Sequence, residues 1–420
     1  MSRMDGVQTS EAHRAAHPIA FFVLYLPFGA SSGFCSVTLA YLLHQNGVSV
    51  PAVAGLVAMN YLPNTWKVLW APIVDTTLSA RSWYVIGVVV TAAVFLISGF
   101  ARLGAAALPL LYALTFGLGL ASSVAAMGAE RFMAYDTPDE AKGRAGGWSQ
   151  AGNLGGGGLG GGLGLYVAVH SHRPWTAGLL LAVLSLACIA MAFRLANPVR
   201  VQDGRSYLAT LKEAARDVIA MAAGRMGLLA VFICLLPFGT GAASNLWSSV
   251  AGDWGAGADE VALVGGVLSG VVTIIGALAG GYLCDRMDRK AGYALFGLVS
   301  AAVAVAMALG PRTPFAFLAF ASIYSLVIGA CYGAFSALTL EAIGQGAAAT
   351  KYNLIASAAN LPIMLMTLVE GQAQARWGST GMLYVEALCA VFAAALYTAV
   401  VFGTRRWSWS GARRLAGLGR

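Results

Sequence analysis

Three ionisable side chains stand inside long apolar stretches of this sequence. Lys67 lies sixteen residues after Pro51 in one such stretch, and Glu370 and Glu386 lie in two others near the C-terminus. A charge inside an apolar helix costs roughly 2.5–3.5 kcal/mol on insertion scales, so these residues indicate a site for an ion or a charged ligand. Lys67 is predicted to bind an anionic group or to pair with a carboxylate, unless its side chain reaches the aqueous surface.

The two glutamates indicate proton chemistry, because burial in apolar surroundings favours the neutral form of a carboxyl group. The alternative is that both lie at a membrane interface. Glu130, at the end of another apolar stretch, is either a third group of this kind or the partner of Arg144 in an ion pair. The candidates for proton coupling are therefore Glu370, Glu386 and Glu130.

Neutral polar residues accompany Lys67 at helical spacing. Asn60, Asn64, Lys67 and Trp70 fall on one stripe of a helix, and Pro63 frees a backbone carbonyl close to that stripe. A lone Ser or Thr in such a helix usually bonds its own backbone, but stripes that recur in several stretches favour a polar cavity. The predicted solute-binding residues are Tyr25, Ser32, Asn60, Asn64, Lys67, Ser149, Asn153, Ser244, Trp247, Tyr332, Ser357 and Asn360.

The composition shows which class of protein contains these residues. Hydrophobic residues make up 58% of the 420-residue chain and charged residues only 10%, whereas an average soluble domain is about 25% charged. Soluble folds, disordered chains and disulfide scaffolds are therefore excluded. The six cysteines all fall in apolar stretches and form no CxxC pair, so we expect them to pack as small apolar residues and predict no metal or cofactor.

Apolar stretches of helical period recur along the chain, and each is long enough to cross a bilayer. We predict an all-α integral membrane protein with twelve transmembrane helices. The predicted spans are 18–44, 51–74, 83–101, 106–130, 144–170, 174–196, 227–251, 259–283, 291–310, 314–340, 351–376 and 379–403.

The basic residues orient this topology. If both termini are cytoplasmic, 21 of the 26 Lys and Arg residues face the cytoplasm, four face outside, and Lys67 lies in a span. This bias follows the positive-inside rule. The net charge of +8 therefore orients the chain and indicates no nucleic-acid partner.

The chain also repeats itself at half its length, which predicts two six-helix halves in parallel. The matching positions, at offsets of 210 to 212 residues, are Leu26–Gly29 with Leu236–Gly239, Asp75 with Asp285, and Gly117 with Gly329. The predicted organisation is a cytoplasmic segment (1–17), an N-terminal half (18–196), a cytoplasmic linker with an amphipathic helix (197–226), a C-terminal half (227–403) and a basic cytoplasmic tail (404–420).

The segment Gly281–Lys290, with its Gly, Asp-Arg and basic pair, resembles the loop signature of major facilitator transporters. The resemblance implies two parallel halves that rock around a site near the bilayer midplane. It also implies that Asp75, Asp285, Arg286 and Arg289 belong to gating loops.

Glycines are concentrated in the fifth and eighth predicted spans, at spacings that allow close helix contact. Helices 5 and 8 meet across the two halves in the fold that the resemblance implies, so we predict a glycine-lined seam between them. The glycines concerned are Gly156, Gly160 and Gly164 in span 5, and Gly266, Gly270, Gly276 and Gly280 in span 8.

A narrower resemblance lies in Asn60–Asp75, which is similar to the Leu-Pro-x-x-x-Lys-x-Leu-Trp-Ala-Pro-x-x-Asp segment of AmpG-type permeases. That branch includes muropeptide permeases, siderophore importers and acetyl-CoA transporters. The resemblance implies inward transport of a muropeptide-like sugar-peptide. Muropeptide permeases have two additional hydrophobic segments that this chain lacks, so a siderophore is the alternative cargo.

Together these features predict a secondary transporter in a bacterial inner membrane that imports a polar organic solute by alternating access, with proton coupling. The expected partners are the lipid bilayer, a small solute and protons, and the expected state is a monomer. The alternative of a different class is a membrane sensor that uses the same fold without transport. No HExxH or P-loop motif occurs, so no enzymatic activity is predicted.

Overall fold

A computed structural model describes residues 17–137, 142–197, 212, 216, 232, 235–237, 239–284, 286–343 and 348–416. The segment 1–16, most of the predicted linker helix and Asp285 lie outside these residues. In the described part, 8 helices are long and apolar enough to cross a membrane by length and composition. The predicted all-α membrane fold is therefore confirmed.

The first half of the chain contains helices α1 to α6. They are α1 (Ile19–Gln45), α2 (Val50–Thr65 and Lys67–Thr76), α3 (Ala80–Phe100), α4 (Leu108–Asp136), α5 (142–170) and α6 (Trp175–Arg194). Short turns join them, and Ser79 caps the start of α3 by accepting a hydrogen bond from the backbone N–H of Ser82 at 3.1 Å.

The second half contains α7 to α12. They are α7 (the short turns Ala242–Asn245, Trp247–Val250 and Ala251–Trp254), α8 (Ala258–Cys284), α9 (Arg289–Leu309), α10 (Pro314–Ile343), α11 (348–377) and α12 (379–416). Gly378, with φ at 68°, separates α11 from α12. Asp288 caps α9 by accepting from the N–H of Ala291 at 3.0 Å. Helix α12 continues into the segment predicted as a basic tail.

The seventh predicted span differs from the continuous helix expected over 227–251. Gly239 and Gly241 have φ values of 64° and 70°, a left-handed conformation that glycine adopts without steric cost and that an α-helix cannot contain. The described part of α7 is therefore a series of short turns. Gly239 and its sequence match Gly29 differ in backbone conformation, since Gly29 lies within α1.

Glycines bring helices of the same half into backbone contact. Helix α1 packs on α5, where Gly29 faces the carbonyl of Asn153 and Gly160 faces the carbonyl of Ala30. A side chain at either glycine would overlap that carbonyl. Such contacts suit a bilayer, because helix association there depends on close van der Waals packing between small residues.

An equivalent contact occurs in both halves. Gly119 of α4 lies against the carbonyl of Asn60 in α2, and Gly329 of α10 lies against the carbonyl of Thr273 in α8. Gly119 and Gly329 are 210 residues apart. A side chain at Gly117, the predicted match of Gly329, would point into open space, so Gly117 does not make this contact.

The two halves touch each other toward one end of the helices, which we call the far end. The far end contains the turn at 46–49 that joins α1 to α2. The opposite end of the helices, where residue 17 lies, we call the near end. Gly162 of α5 meets Ala262 and Gly266 of α8, and Gly371 of α11 meets Ala54 of α2.

The predicted glycine seam between α5 and α8 exists, and Gly266 and Gly270 of α8 face α5 as predicted, but its other members differ. Gly160 faces α1 in its own half, while Gly276 and Gly280 face Leu326 and Ala330 of α10. The seam is formed by Gly161 and Gly162 with Gly265 and Gly266. Helix α5 makes a π turn over Leu159–Leu163, and the extra residue of a π turn changes which positions share a face, so four-residue spacing gave the wrong stripe.

We predict that Gly162→Ala shifts the protein away from the conformation with a closed far end. The new Cβ would lie 2.5 Å from the Ala262 carbonyl oxygen, and overpacking of this kind costs about 1–3 kcal/mol, or roughly 5–150-fold in population. Maleimide labelling of a Val37→Cys reporter at this contact should become faster, because opening exposes it.

Gly160→Ala is the matched control for that substitution. Its overlap lies inside one half, so it should lower the thermal unfolding midpoint without speeding the labelling of the reporter. Equal labelling rates in the two variants would contradict the assignment of Gly162 to the contact between halves.

Candidate functional site

An ion pair toward the near end joins three helices of the first half. Lys67 Nζ lies 2.5 Å from Glu130 Oε1, and the hydroxyl of Tyr25 donates to the same oxygen at 3.3 Å. The side chains of Lys67 and Glu130 are 15% and 20% exposed, so water reaches both. We call Tyr25, Lys67 and Glu130 the ion-pair layer.

A break in α2 sets the direction of Lys67. Trp66 has φ at −123° and ψ at 15°, and it ends one helical segment and begins the next. Pro63 lies three residues earlier and cannot donate a backbone hydrogen bond, which weakens the helix at this point. The sequence therefore places a flexible joint directly before the lysine.

A chain of hydrogen bonds crosses between the halves at the middle of the helices. Tyr61 of α2 donates to Asn245 Oδ1 of α7 at 3.3 Å, and Asn245 Nδ2 donates to Thr367 Oγ1 of α11 at 3.0 Å. The Ser32 hydroxyl lies 3.3 Å from that of Tyr61, whose proton is already donated to Asn245, so Ser32 is the donor. We call Ser32, Tyr61, Asn245 and Thr367 the bridge.

The irregular backbone of α7 positions Asn245. The left-handed Gly241 starts the turn Ala242–Asn245, and a regular helix follows only from Trp247. Broken helices place backbone and side-chain polar groups inside transporter cavities. Asn245 is 7% exposed and Thr367 is fully buried, so the bridge has little competition from water.

Two carboxyl groups are buried toward the far end of the second half. Glu370 of α11 is 0% exposed and Glu386 of α12 is 2% exposed, and the two groups lie close enough to interact. The Tyr324 hydroxyl of α10 donates to Glu386 Oε1 at 2.6 Å. The Trp247 ring packs edge-on against Tyr324 with ring centroids 4.9 Å apart. We call Glu370 and Glu386 the acid pair.

The structure brings together some of the predicted solute-binding residues. Tyr25 and Lys67 share the ion-pair layer, and Ser32 belongs to the bridge. Asn60, on the same stripe of α2, is buried, and its Nδ2 has no hydrogen-bond partner among the described residues. Tyr332 is 43% exposed.

Other predicted solute-binding residues bond within their own helices, as a lone polar residue in a span usually does. These donors, each to a carbonyl three or four residues earlier, are Asn64, Ser149, Ser244 and Asn360. Trp247 packs in the apolar core of the second half. Ser357 is buried, and Asn153 contributes its carbonyl to the contact with Gly29.

The predicted gating residues are only partly described. Arg286 stacks on the ring of Tyr282 at 3.6 Å, and Arg289 begins α9. Asp285 and the side chains of Asp75 and Arg144 lie outside the described residues, so the structure does not test their roles. The partner of Glu130 in the structure is Lys67.

Sequence reasoning did not identify Tyr61 and Asn245. Helical spacing predicts a solute-binding stripe through Asn60 and Asn64, and Tyr61 lies on the neighbouring face of α2. Helical spacing in α7 likewise predicts Ser244, whereas the residue that binds across the halves is the adjacent Asn245. Two glycines close to an intramembrane Asn were the available signal of a broken helix.

Comparison with known proteins identifies the fold. A variant of the nucleoside transporter NupG aligns with a TM-score of 0.71 and 13% identity over 91% of this chain and 98% of its own. A D-xylose-proton symporter aligns with a TM-score of 0.71 and 14% identity, covering 90% and 96% of the two chains. A POT family transporter in complex with a thioalcohol-conjugated peptide gives 0.70 and 11%, covering 92% and 96%.

Sequence similarity is more restricted. No curated protein sequence matches this chain. The family model for the Major Facilitator Superfamily, however, matches residues 21–367, which is most of the chain and includes the ion-pair layer and the bridge. The protein therefore belongs to the major facilitator superfamily.

Proposed function

We propose that this protein is a proton-coupled secondary transporter that imports a polar organic solute with an anionic group, of the muropeptide-like sugar-peptide class. The observation that carries the proposal is the Lys67–Glu130 pair, held at 2.5 Å inside a transporter fold and still reached by water. A charged group inside a span costs free energy when the helix enters the membrane. Such groups therefore mark substrate and ion pathways.

Lys67 is the proposed anchor for the solute. Its ammonium group has three donors, and Glu130 Oε1 occupies one direction while Tyr25 supports the carboxylate. A carboxylate on the peptide part of a solute would compete with Glu130 for Lys67. The proposed path from this anchor toward the bridge passes Asn60, which lies on the same stripe of α2 as Lys67.

Alternating access follows from where the halves meet. The contacts of Gly162 with Gly266 and of Gly371 with Ala54 lie toward the far end, so solute entering from that side must separate them. The distribution of basic residues supports a cytoplasmic near end, with both termini in the cytoplasm and the protein in a bacterial inner membrane. The conformation is then closed to the outside, as expected after import.

Proton coupling rests on the buried carboxyl groups. Glu130 contacts the proposed solute anchor directly, whereas Glu370 and Glu386 lie apart from it. One structural relative is named a proton symporter and another holds a peptide. At this level of identity they share the fold alone, and the coupling ion and cargo are proposed from the residues of this chain.

The proposal predicts uptake of an anionic sugar-peptide into proteoliposomes. A labelled disaccharide-peptide fragment of peptidoglycan should accumulate when a proton gradient is applied, and a ferric hydroxamate siderophore and a neutral pentose serve as comparison solutes. Accumulation of the siderophore alone would transfer the assignment to the alternative cargo. If no solute is even exchanged across the membrane, a non-transporting sensor is the better description.

Substitutions in the ion-pair layer should act in opposite directions on binding. Lys67→Gln removes the charge-assisted hydrogen bonds to the solute and should weaken its binding by about 1.5–3 kcal/mol, or roughly 10–150-fold. Glu130→Gln removes the competitor and should strengthen binding. Both can be measured by calorimetry with the disaccharide-peptide on detergent-purified protein.

Stability measurements separate this role from a structural one. Breaking a largely buried ion pair by removing one partner costs about 3–5 kcal/mol, so each single variant should unfold at a lower temperature. The double variant Lys67→Gln/Glu130→Gln should regain stability without regaining solute binding. A double variant that binds like the wild type would show that Lys67 only supports the fold.

A further inference from the structure

The acid pair is the one feature of the described residues that solute binding does not account for. Both Glu370 oxygens and Glu386 Oε2 are buried and have no hydrogen-bond donor among those residues. A buried carboxylate without a donor or a cation is strongly destabilising. Three such oxygens close together are therefore incompatible with a negative charge on both glutamates.

The groups that interact with the acid pair include no cation among the described residues. Tyr324 and Cys331 of α10 and Cys389 of α12 interact with the pair, and the Trp247 ring of α7 packs on Tyr324. On the side of α2, Gly371 lies against Ala54 and Pro51, which are apolar. Among the described residues, neither glutamate has a Lys, Arg or His within salt-bridge distance.

We propose that Glu370 and Glu386 together form the site that carries the coupling proton, with one proton held between the two carboxyl groups. This inference rests on the proton coupling in the proposed function and assigns it to residues outside the solute path. Two carboxylates in contact cannot both remain charged in apolar surroundings. An O–H bond forms on one of them, and its proton is donated to the other, which supplies the missing hydrogen bond.

The Tyr324 hydroxyl fixes the arrangement of the pair. It donates to Glu386 Oε1, so Glu386 is the acceptor with the greater negative charge and Glu370 is the carboxyl that holds the proton. The neighbouring Trp247 ring keeps Tyr324 in place and excludes water from that side.

A proton can reach the pair from the far end, where an arginine covers the surface. Arg312 stacks on Trp254 at 3.9 Å and donates to Ser379 Oγ at 3.2 Å and to Thr380 Oγ1 at 2.5 Å. Glu386 lies seven residues after Ser379 in α12, which is about 10 Å along a helix. Arg312 thus closes the short route between the pair and the outside.

The pair is linked to the bridge through α11. Thr367 precedes Glu370 by three residues, so both side chains lie on the same face of the helix. Thr367 holds Asn245, and Asn245 holds Tyr61 of the other half. Loss of the proton leaves both carboxyl groups negatively charged, with one of the charges next to Thr367. The two carboxylates then repel each other, and this repulsion moves α11 relative to the bridge.

Infrared pH-difference spectroscopy of the purified, detergent-solubilised protein tests this site without any solute. The wild type should retain a protonated-carboxyl band at neutral pH, and the double variant Glu370→Gln/Glu386→Gln should lose it. Each single variant should shift the frequency of the band, because the remaining buried carboxyl stays neutral but then faces an amide and not a carboxylate. Asp253→Asn, an exposed carboxylate at the same end, is the matched control and should leave the band unchanged. A band that survives in the double variant, or that neither single variant shifts, would overturn the proposal.

Transport separates this inference from the proposed function. In proteoliposomes, Glu370→Gln should keep gradient-independent exchange of the disaccharide-peptide but lose its proton-driven accumulation. Accumulation by Glu370→Gln equal to that of the wild type would refute the site while leaving the transporter intact. Absence of exchange in the wild type would refute the transport proposal alone.

Sodium is the alternative occupant of the acid pair. If adding NaCl at constant pH removes the protonated-carboxyl infrared band, the pair binds sodium and not a proton.

Discussion

Backbone contact at glycine is the interaction on which the rest of this structure depends. A bilayer provides no hydrophobic drive between helices, so their association relies on close packing and on the few polar contacts that are available. Gly29 and Gly160 join α1 to α5, and Gly119 and Gly329 repeat one contact in both halves. Polar side chains add to these contacts in the first half, where the Ser31 and Ser122 hydroxyls lie 2.9 Å apart and the Tyr84 hydroxyl donates to the Leu24 carbonyl at 3.2 Å.

The same interaction also divides the molecule into parts that can separate. Contacts within a half, such as Gly29 with Asn153, and contacts between the halves, such as Gly162 with Ala262, both place a glycine against a carbonyl of the neighbouring helix. The second kind of contact includes a residue with non-helical backbone angles, since Gly266 has φ at −110° and ψ at −121°. The helix α8 is thus interrupted where the halves meet, and an interrupted helix suits a contact that must open and close during transport.

The positions of the helices could be predicted from the sequence, because apolar residues recur with a helical period. Which residues of a helix face its neighbours was harder to predict. A π turn in α5 and left-handed glycines in α7 change the direction of side chains, and neither alters the composition of a span. Lys67 could be selected from its own surroundings. Its partner Glu130 is 63 residues away in the chain, and the Asn245 contacts cross between the halves, so only the folded structure reveals them.

The positions of the polar groups suggest how a proton and a solute can affect one another without touching. The ion-pair layer lies toward the near end and the acid pair toward the far end, and the bridge lies between them. In the proposed mechanism, a solute that reaches Ser32 or Tyr61 acts on Asn245 from the first half, and a change of charge at Glu370 acts on it through Thr367. Coupling between two sites is reciprocal, so if the bound proton favours solute binding through Asn245, the bound solute favours proton binding to the same extent.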